Sequence, residues 1–239
     1  MTLEKVYAGK TKDVYRQPNG NLLFSFKDDV TGEDGVVDPG ANSVMGQIKG
    51  KGKMSLEMSQ HFFNLLQQEG IPTHFIAADL NEKTMEVKEA QFPGKDLDAP
   101  AGLEFICRCK AYGSFTRRYQ NFVKEKLQNL HYLVEITLKD DERGDPLIND
   151  DALLALGVLN REQLEKAKEI TRRATQIIEN ELLQKGLYLV DIKLEFGISN
   201  ESDKEVIIID EVSGDSMRVM DKEGNVLSHE ELYRCLFTQ

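Results

Sequence analysis

From Leu189 to Phe196 apolar and charged positions alternate: Val190, Ile192, Leu194 and Phe196 share one face, and Asp191, Lys193 and Glu195 share the other. A period of two predicts a half-buried strand. A second run, Val206 to Ile209, ends abruptly in Asp210 and Glu211, and the polar segment 197–204 between the runs predicts a hairpin. The same alternation recurs over 133–139, with Val134, Ile136 and Leu138 inward against Glu135, Thr137 and Lys139. It recurs again over 103–110, where Phe105, Cys107 and Cys109 oppose Ile106, Arg108 and Lys110. Near the start, residues 4–16 read as strand, glycine turn and strand, residues 22–26 as a further strand, and residues 27–40 as a loop rich in glycine and acid. Segments 71–76 and 84–88 are extended.

The helical patterns are fewer. Ser55 is placed to cap a helix running to Gln68, with Leu56, Phe62, Phe63 and Leu66 as an apolar stripe, His61 in the core and Gly70 as the stop. Asn149 and Asp150 lead into a short helix that ends at Gly157. A long helix capped by Asn160, with Gln163 three residues on, runs to Gln184 before Gly186. Its apolar positions serve core packing, and no chemistry is assigned to it. Ser228 and Glu231 form a capping box for a last short helix carrying Tyr233 and Arg234. A division of the chain near residue 80 separates residues 1–80 from residues 81–239.

The chain has 239 residues, 40% of them hydrophobic, enough for a substantial core. A net charge of -11 argues against a broad nucleic-acid surface, which needs many Lys and Arg contacts to phosphates. The three cysteines include a C-x-C pair, which supports neither a disulfide framework nor a zinc site and suits a reducing cytoplasm. No targeting signal or membrane-spanning apolar run is read, so a cytoplasmic protein without membrane or nucleic-acid partners is expected.

Pairing of the two strands around 197–204 brings Glu195 and Asp210 together. Neighbouring carboxylates are unfavourable unless a cation or a proton separates them, and magnesium, which takes one or two carboxylates plus substrate phosphates, suits such a pair. The competing reading is a solvated acidic strand face. It weakens because Asp210 follows four consecutive β-branched residues, where an acid needs a partner. Lys10 and Lys12, two apart on the glycine hairpin, point to one side and suit the phosphates of a nucleotide, or equally the edge of a sheet. The GKT triplet is no P-loop, because Glu4 stands where the first glycine would fall. Asp29 and Asp34 form turns in the acidic loop, or touch a ligand. Residues 49–53, KGKGK, read as a flexible basic patch. Arg108, with Ser114 at a helix start, offers an anion pocket, against plain capping by Ser114. Arg218 adds a second arginine close to the acidic strand end.

In order along the chain, YAGKTKDVY, KGKGKMS, EGIPTHFI, CRCKAYGS, LKDDERGDPLIND, LVDIKLEFG and DEVSGDSMR resemble one family, the phosphoribosylaminoimidazole-succinocarboxamide synthases, or SAICAR synthetases. The resemblance covers nearly the whole sequence. It departs where RCKAYGS replaces R-N-x-A-A-G-S and where Ser213-Gly214-Asp215 replaces S-P-D. It implies an α+β fold of two lobes related to ATP-grasp enzymes: a small antiparallel β lobe, a larger sheet-and-helix lobe, and the nucleotide in the cleft between them. It implies an ATP-dependent ligase that joins L-aspartate to carboxyaminoimidazole ribonucleotide (CAIR) through an acyl phosphate, in purine biosynthesis. By resemblance Lys10, Lys12 and Lys139 bind the nucleotide phosphates, and Glu195 and Asp210 hold Mg2+. Arg108, Ser114, Arg218 and Arg234 bind the ribonucleotide, Asp191 and Lys193 stand beside the reacting carboxylate, and Asp34 touches a ligand. A homodimer is expected. The alternative is a small-molecule kinase using the same nucleotide and magnesium site.

Overall fold

A computed structural model describes residues 3–33, 36–37, 44–94, 102–200 and 204–238. The first hairpin pairs β1 (Glu4–Ala8) with β2 (Lys12–Arg16), closed by a Gly9 N–H to Lys12 carbonyl bond of 2.9 Å. Any Cβ on Gly9 would lie 2.7 Å from that carbonyl oxygen, so only glycine closes this turn without displacement. β3 (Leu22–Phe26), β7 (Phe75–Asp79) and β8 (Thr84–Val87) complete an antiparallel sheet in the order β1-β2-β3-β8-β7. This sheet therefore runs past residue 80, as far as Val87.

The second sheet carries the three long alternating runs and the short apolar run at 206–209. It orders β11 (Asn129–Leu138), β10 (Leu103–Lys110), β12 (Tyr188–Ser199) and β13 (Val206–Ile209), all antiparallel, with β9 (Ala90–Gln91) and β14 (Met217–Met220) also paired to β12. On its apolar face lies α4 (Arg161–Gln184), capped by the Asn160/Gln163 box that the sequence predicts. Leu164, Ala167, Ile170, Ala174, Ile178 and Leu182 are buried there, one every three or four residues, as a core-facing helix requires. α1 (Lys51–Gln68) packs against β3, β7, α4 and α5 (His229–Phe237), so that Phe24, Phe62, Phe105 and Ile192 belong to one continuous apolar cluster. Two shorter helices, α2 (Gly113–Tyr119) and α3 (Asp150–Ala155), follow β10 and precede α4. The architecture is α+β with antiparallel sheets, as expected, and Cys107 and Cys109 are buried in its core.

Several expectations need correction. Residues 27–40 are not simply a loop: β4 (Asp29–Glu33), β5 (Val36–Val37) and β6 (Val44–Gln47) form a small antiparallel sheet, in which β-branched residues prevail over the turn formers. Asp29 is therefore a strand residue, and Asp34 lies outside the described residues. The extended segment at 71–76 enters strand pairing only from Phe75, apart from a parallel bridge between Thr73 and Ile208. His61 is half-buried, and its ring nitrogen stands 3.2 Å from Glu181.

The basic patch at 49–53 is the largest correction. It is the start of α1, four residues before Ser55, and Lys51 is only 2% exposed. The cap is remote in sequence: the Asp28 carboxylate accepts from the N–H groups of Gly50 and Gly52, at 3.0 Å each. Burial pushes the Asp28 carboxyl up, but these two donors hold it below its ordinary value. Ser55, inside the helix, instead places its hydroxyl 3.2 Å from His229.

Candidate active site

Antiparallel register sets Glu195 opposite Ile209, which leaves Asp210 just beyond the paired strand and beside Glu195. Around this pair three lysines alternate with acids. Lys12, from β2, lies 3.0 Å from Asp210 and 2.7 Å from Glu211. Lys139, just after β11, lies 2.6 Å from Glu195. Lys193 lies 2.7 Å from Glu104, whose other oxygen accepts from the Thr137 hydroxyl at 2.9 Å. Thus β2, the end of β11 and β12 each bring an ammonium to one strip of carboxylates.

The two central acids respond oppositely to this setting. Burial, and then the charge of Asp210, raise the Glu195 carboxyl above its ordinary value. Asp210 is also pushed up by burial, but Lys12 and Lys139 outweigh that and bring it down to about 2. Burial works against Lys12 and Lys139, yet their acidic neighbours keep both above the ordinary lysine value. The two carboxylates thus repel each other, and each has a lysine in contact.

A second cluster lies farther along the same strands. Arg108 on β10, Asp191 on β12 and Arg218 on β14 form one cross-strand row. Asp191 accepts from Arg108 at 3.0 Å and from Arg218 at 2.9 Å. The Arg108 Nε donates to Glu135 at 2.6 Å and one Nη to the Ser114 hydroxyl at 3.2 Å; Arg118 donates to Glu135 at 2.6 Å. Three guanidiniums and two carboxylates meet here. Ser114 makes no capping bond of its own, since the residue at the cap is Tyr112. Gly113, at φ +54°, lies under the Arg218 guanidinium, where a Cβ would sit 3.4 Å from it.

The structure thus unites Lys12, Lys139, Glu195 and Asp210 in one group, Arg108, Ser114, Asp191 and Arg218 in another, and places Lys193 between them on β12. Lys10 lies in the turn rather than on β2, so the spacing argument that aligned it with Lys12 does not reach it. Arg234 is on the exposed side of α5, paired with Glu230. Sequence reasoning passed over Glu104, Glu135 and Glu211. Glu104 shares the face of Arg108 by the period of two, and Glu211 adjoins Asp210, so both signals were present. A further ionic group, Lys51 with Asp215 and His229, joins α1, the 211–216 loop and α5.

Among the described residues no group of three or more His, Cys, Asp or Glu is placed to hold a metal. The donor set present, two partly buried carboxylates in mutual repulsion, fits an ion that draws its other ligands from water and phosphate, as magnesium does. Fully protein-caged cations need more ligands than this.

Comparison with known proteins adds a second line of observation. Residues 5–232 match the family model described as SAICAR synthetase. A phosphoribosylaminoimidazole-succinocarboxamide synthase of Clostridium tetani is 47% identical over 231 residues, 97% of this chain and 98% of that one. One from Methanocaldococcus jannaschii is 32% identical, over 97% of this chain and 87% of the relative. Among solved structures, a SAICAR synthetase in complex with ADP superposes with a TM-score of 0.82 at 28% identity, covering 98% of this chain and 97% of that one. The enzyme of Ehrlichia chaffeensis gives 0.81 at 27% identity, over 98% and 92%.

Proposed function

The chain belongs to the SAICAR synthetase family and is an ATP-dependent ligase that condenses CAIR with L-aspartate in purine biosynthesis; from this premise we propose which residues carry the reaction. The observation that bears most weight is the adjacency of Glu195 and Asp210, with Lys139 on the first and Lys12, shared with Glu211, on the second. We assign this pair to Mg2+ and Lys10, Lys12 and Lys139 to the nucleotide phosphates. The relative solved with ADP supports a nucleotide at this site. When bound, the ion supplies charge neutralisation for the terminal phosphates of ATP.

The guanidinium row binds the ribonucleotide. Arg108, Ser114 and Arg218 face its phosphate, and the fork geometry of two arginines suits an oxyanion with several acceptors. Asp191 fixes both forks, while Lys193, held by Glu104, stands toward the reacting carboxylate. A carboxylate is a poor electrophile. Transfer of the γ-phosphoryl group of ATP to it forms an acyl phosphate and ADP; the aspartate amine then attacks the carbonyl carbon, expels inorganic phosphate and forms the amide. Such transfer depends on positioning and charge neutralisation, which the lysines provide. Arg234 and Asp34 remain assigned to the ribonucleotide and ligand contacts by resemblance alone.

The two-lobe reading, related to ATP-grasp enzymes, places the nucleotide between the β1–β2 hairpin and the β12–β13 end. The Lys12 bridge from one sheet to the other supports it. A homodimer and a cytoplasmic location complete the proposal; no described helix is long and apolar enough to cross a membrane. The test is ADP release with CAIR and ATP, with and without L-aspartate. Succinocarboxamide formed only with all three substrates supports the assignment, and phosphorylation of a hydroxyl acceptor without C–N bond formation would support a kinase instead.

A further inference from the structure

Asp210 has an unusual backbone. Its φ is +69°, the left-handed region, where a side chain with a Cβ sits at a cost on the order of 1 kcal/mol. It follows Ile209, the last ladder residue of β13, so the chain leaves the sheet at this residue and its carbonyl turns out of strand pairing. That carbonyl is taken by a side chain: the Nε2 of His74 lies 3.0 Å from it. A carbonyl only accepts, so Nε2 carries the hydrogen. Residue 74 is itself held by its backbone and by its ring. Its own backbone N–H donates to Ile208 at 2.9 Å, and its carbonyl accepts from Lys88 at 2.8 Å. The ring sits edge-on between Phe24 and Phe63, with centroids 5.6 Å from each, and the residue is 2% exposed.

We propose that His74 is a positioning residue for the divalent ion: its Nε2–H clamps the Asp210 peptide in the left-handed conformation that turns the carboxylate back toward Glu195 and Lys12. The inference rests on the reading of Glu195 and Asp210 as the metal pair. Without the clamp, Asp210 is free to return to the extended region that residues with a Cβ prefer, and the period of two then carries its carboxylate away from Glu195. The phenylalanines hold the ring and the ring holds the peptide. Packing alone would need only an aromatic of the same size at 74; the clamp needs a donor.

Manganese binding to the full chain with saturating ADP, followed by electron paramagnetic resonance, separates these roles. Asp210→Asn is expected to abolish most of the binding. His74→Phe, which keeps ring volume, is expected to weaken Mn2+ by about five-fold, the size of one net hydrogen bond, while His74→Gln, which keeps a donor, stays within about two-fold of the parent. ADP affinity without metal and the Michaelis constant for the ribonucleotide stay unchanged in both. His74→Phe with parental Mn2+ affinity would overturn the role of His74 alone. Equal binding by the parent and Asp210→Asn would overturn the metal pair, and the clamp with it. In the unmodified protein, nitrogen-15 spectra should show the 74 ring as the Nε2–H tautomer with that proton protected from solvent. An Nδ1–H tautomer, which leaves Nε2 without a proton to donate, contradicts the clamp whether or not the variants fold.

Discussion

The two charged clusters of this enzyme use the same strands and opposite strategies. Around Asp191 the charges meet in fixed geometry: Arg108 and Arg218 lie in register across β10, β12 and β14, and Glu135 and Ser114 accept from two further nitrogens of Arg108. Around Glu195 the lysines supply charge without fixed direction, and two carboxylates stay side by side. Guanidinium forks suit the recognition of a phosphate of constant shape, whereas ammonium groups adapt to a ligand whose charge shifts during reaction. On the proposed assignment the arginine row holds the ribonucleotide phosphate, and the lysine strip exchanges its present carboxylate partners for the cation and triphosphate.

Substitutions break this contrast in graded ways. The largest effect is expected at Glu195→Ala: turnover falls by at least ~10²-fold in steady-state assays, the size of one preorganised electrostatic group, with the ribonucleotide Michaelis constant little changed. Parental turnover would remove Glu195 from the metal site.

Next comes the acid limb of stability. With a folded value about 2 against an ordinary 3.8, Asp210 contributes at most about 2 kcal/mol, fully present above roughly pH 4 and lost as pH falls through 2. Glu195 has the opposite sign. Its raised carboxyl favours the folded state below its ordinary 4.5, and that benefit is lost as pH rises through the folded value. Urea unfolding midpoints across this range should therefore show a shallower acid loss for Asp210→Asn and a smaller decline on the way to neutrality for Glu195→Gln.

In the arginine pocket, Arg218→Ala should raise the ribonucleotide Michaelis constant by about ten-fold, and Arg218→Lys should recover little of it, because a point charge does not replace a fork. Full recovery by lysine would show that the two clusters do not differ in the way described. The smallest change is expected at Arg118→Ala. This partly exposed guanidinium shares Glu135 with Arg108, and its removal should cost under about 1 kcal/mol and alter rate constants by less than a few-fold.

Strand periodicity made much of this site legible in the sequence. β10, β11 and β12 alternate clearly, which places Arg108, Asp191 and Glu195, and the abrupt end of the apolar run of β13 marks Asp210. What escaped depends on contacts distant along the chain. Lys51 looked like part of a mobile basic patch because the cap that starts α1 comes from Asp28, and its counter-ion is Asp215. Glu211 and Glu104 gain their roles only when β2 and β12 bring lysines to them. Lys10 and Lys12 were paired by counting, but the turn interrupts the strand between them. The left-handed backbone at Asp210 leaves no mark in residue order, since aspartate is common in both extended and turn positions.

The most direct test of the account is a crystal structure of the enzyme with a non-hydrolysable ATP analogue, Mg2+ and CAIR. It predicts an ion about 2.1 Å from carboxylate oxygens of both Glu195 and Asp210, with Lys12 and Lys139 turned to phosphate oxygens. An ion bound elsewhere, with both carboxylates still on their lysines, would contradict it.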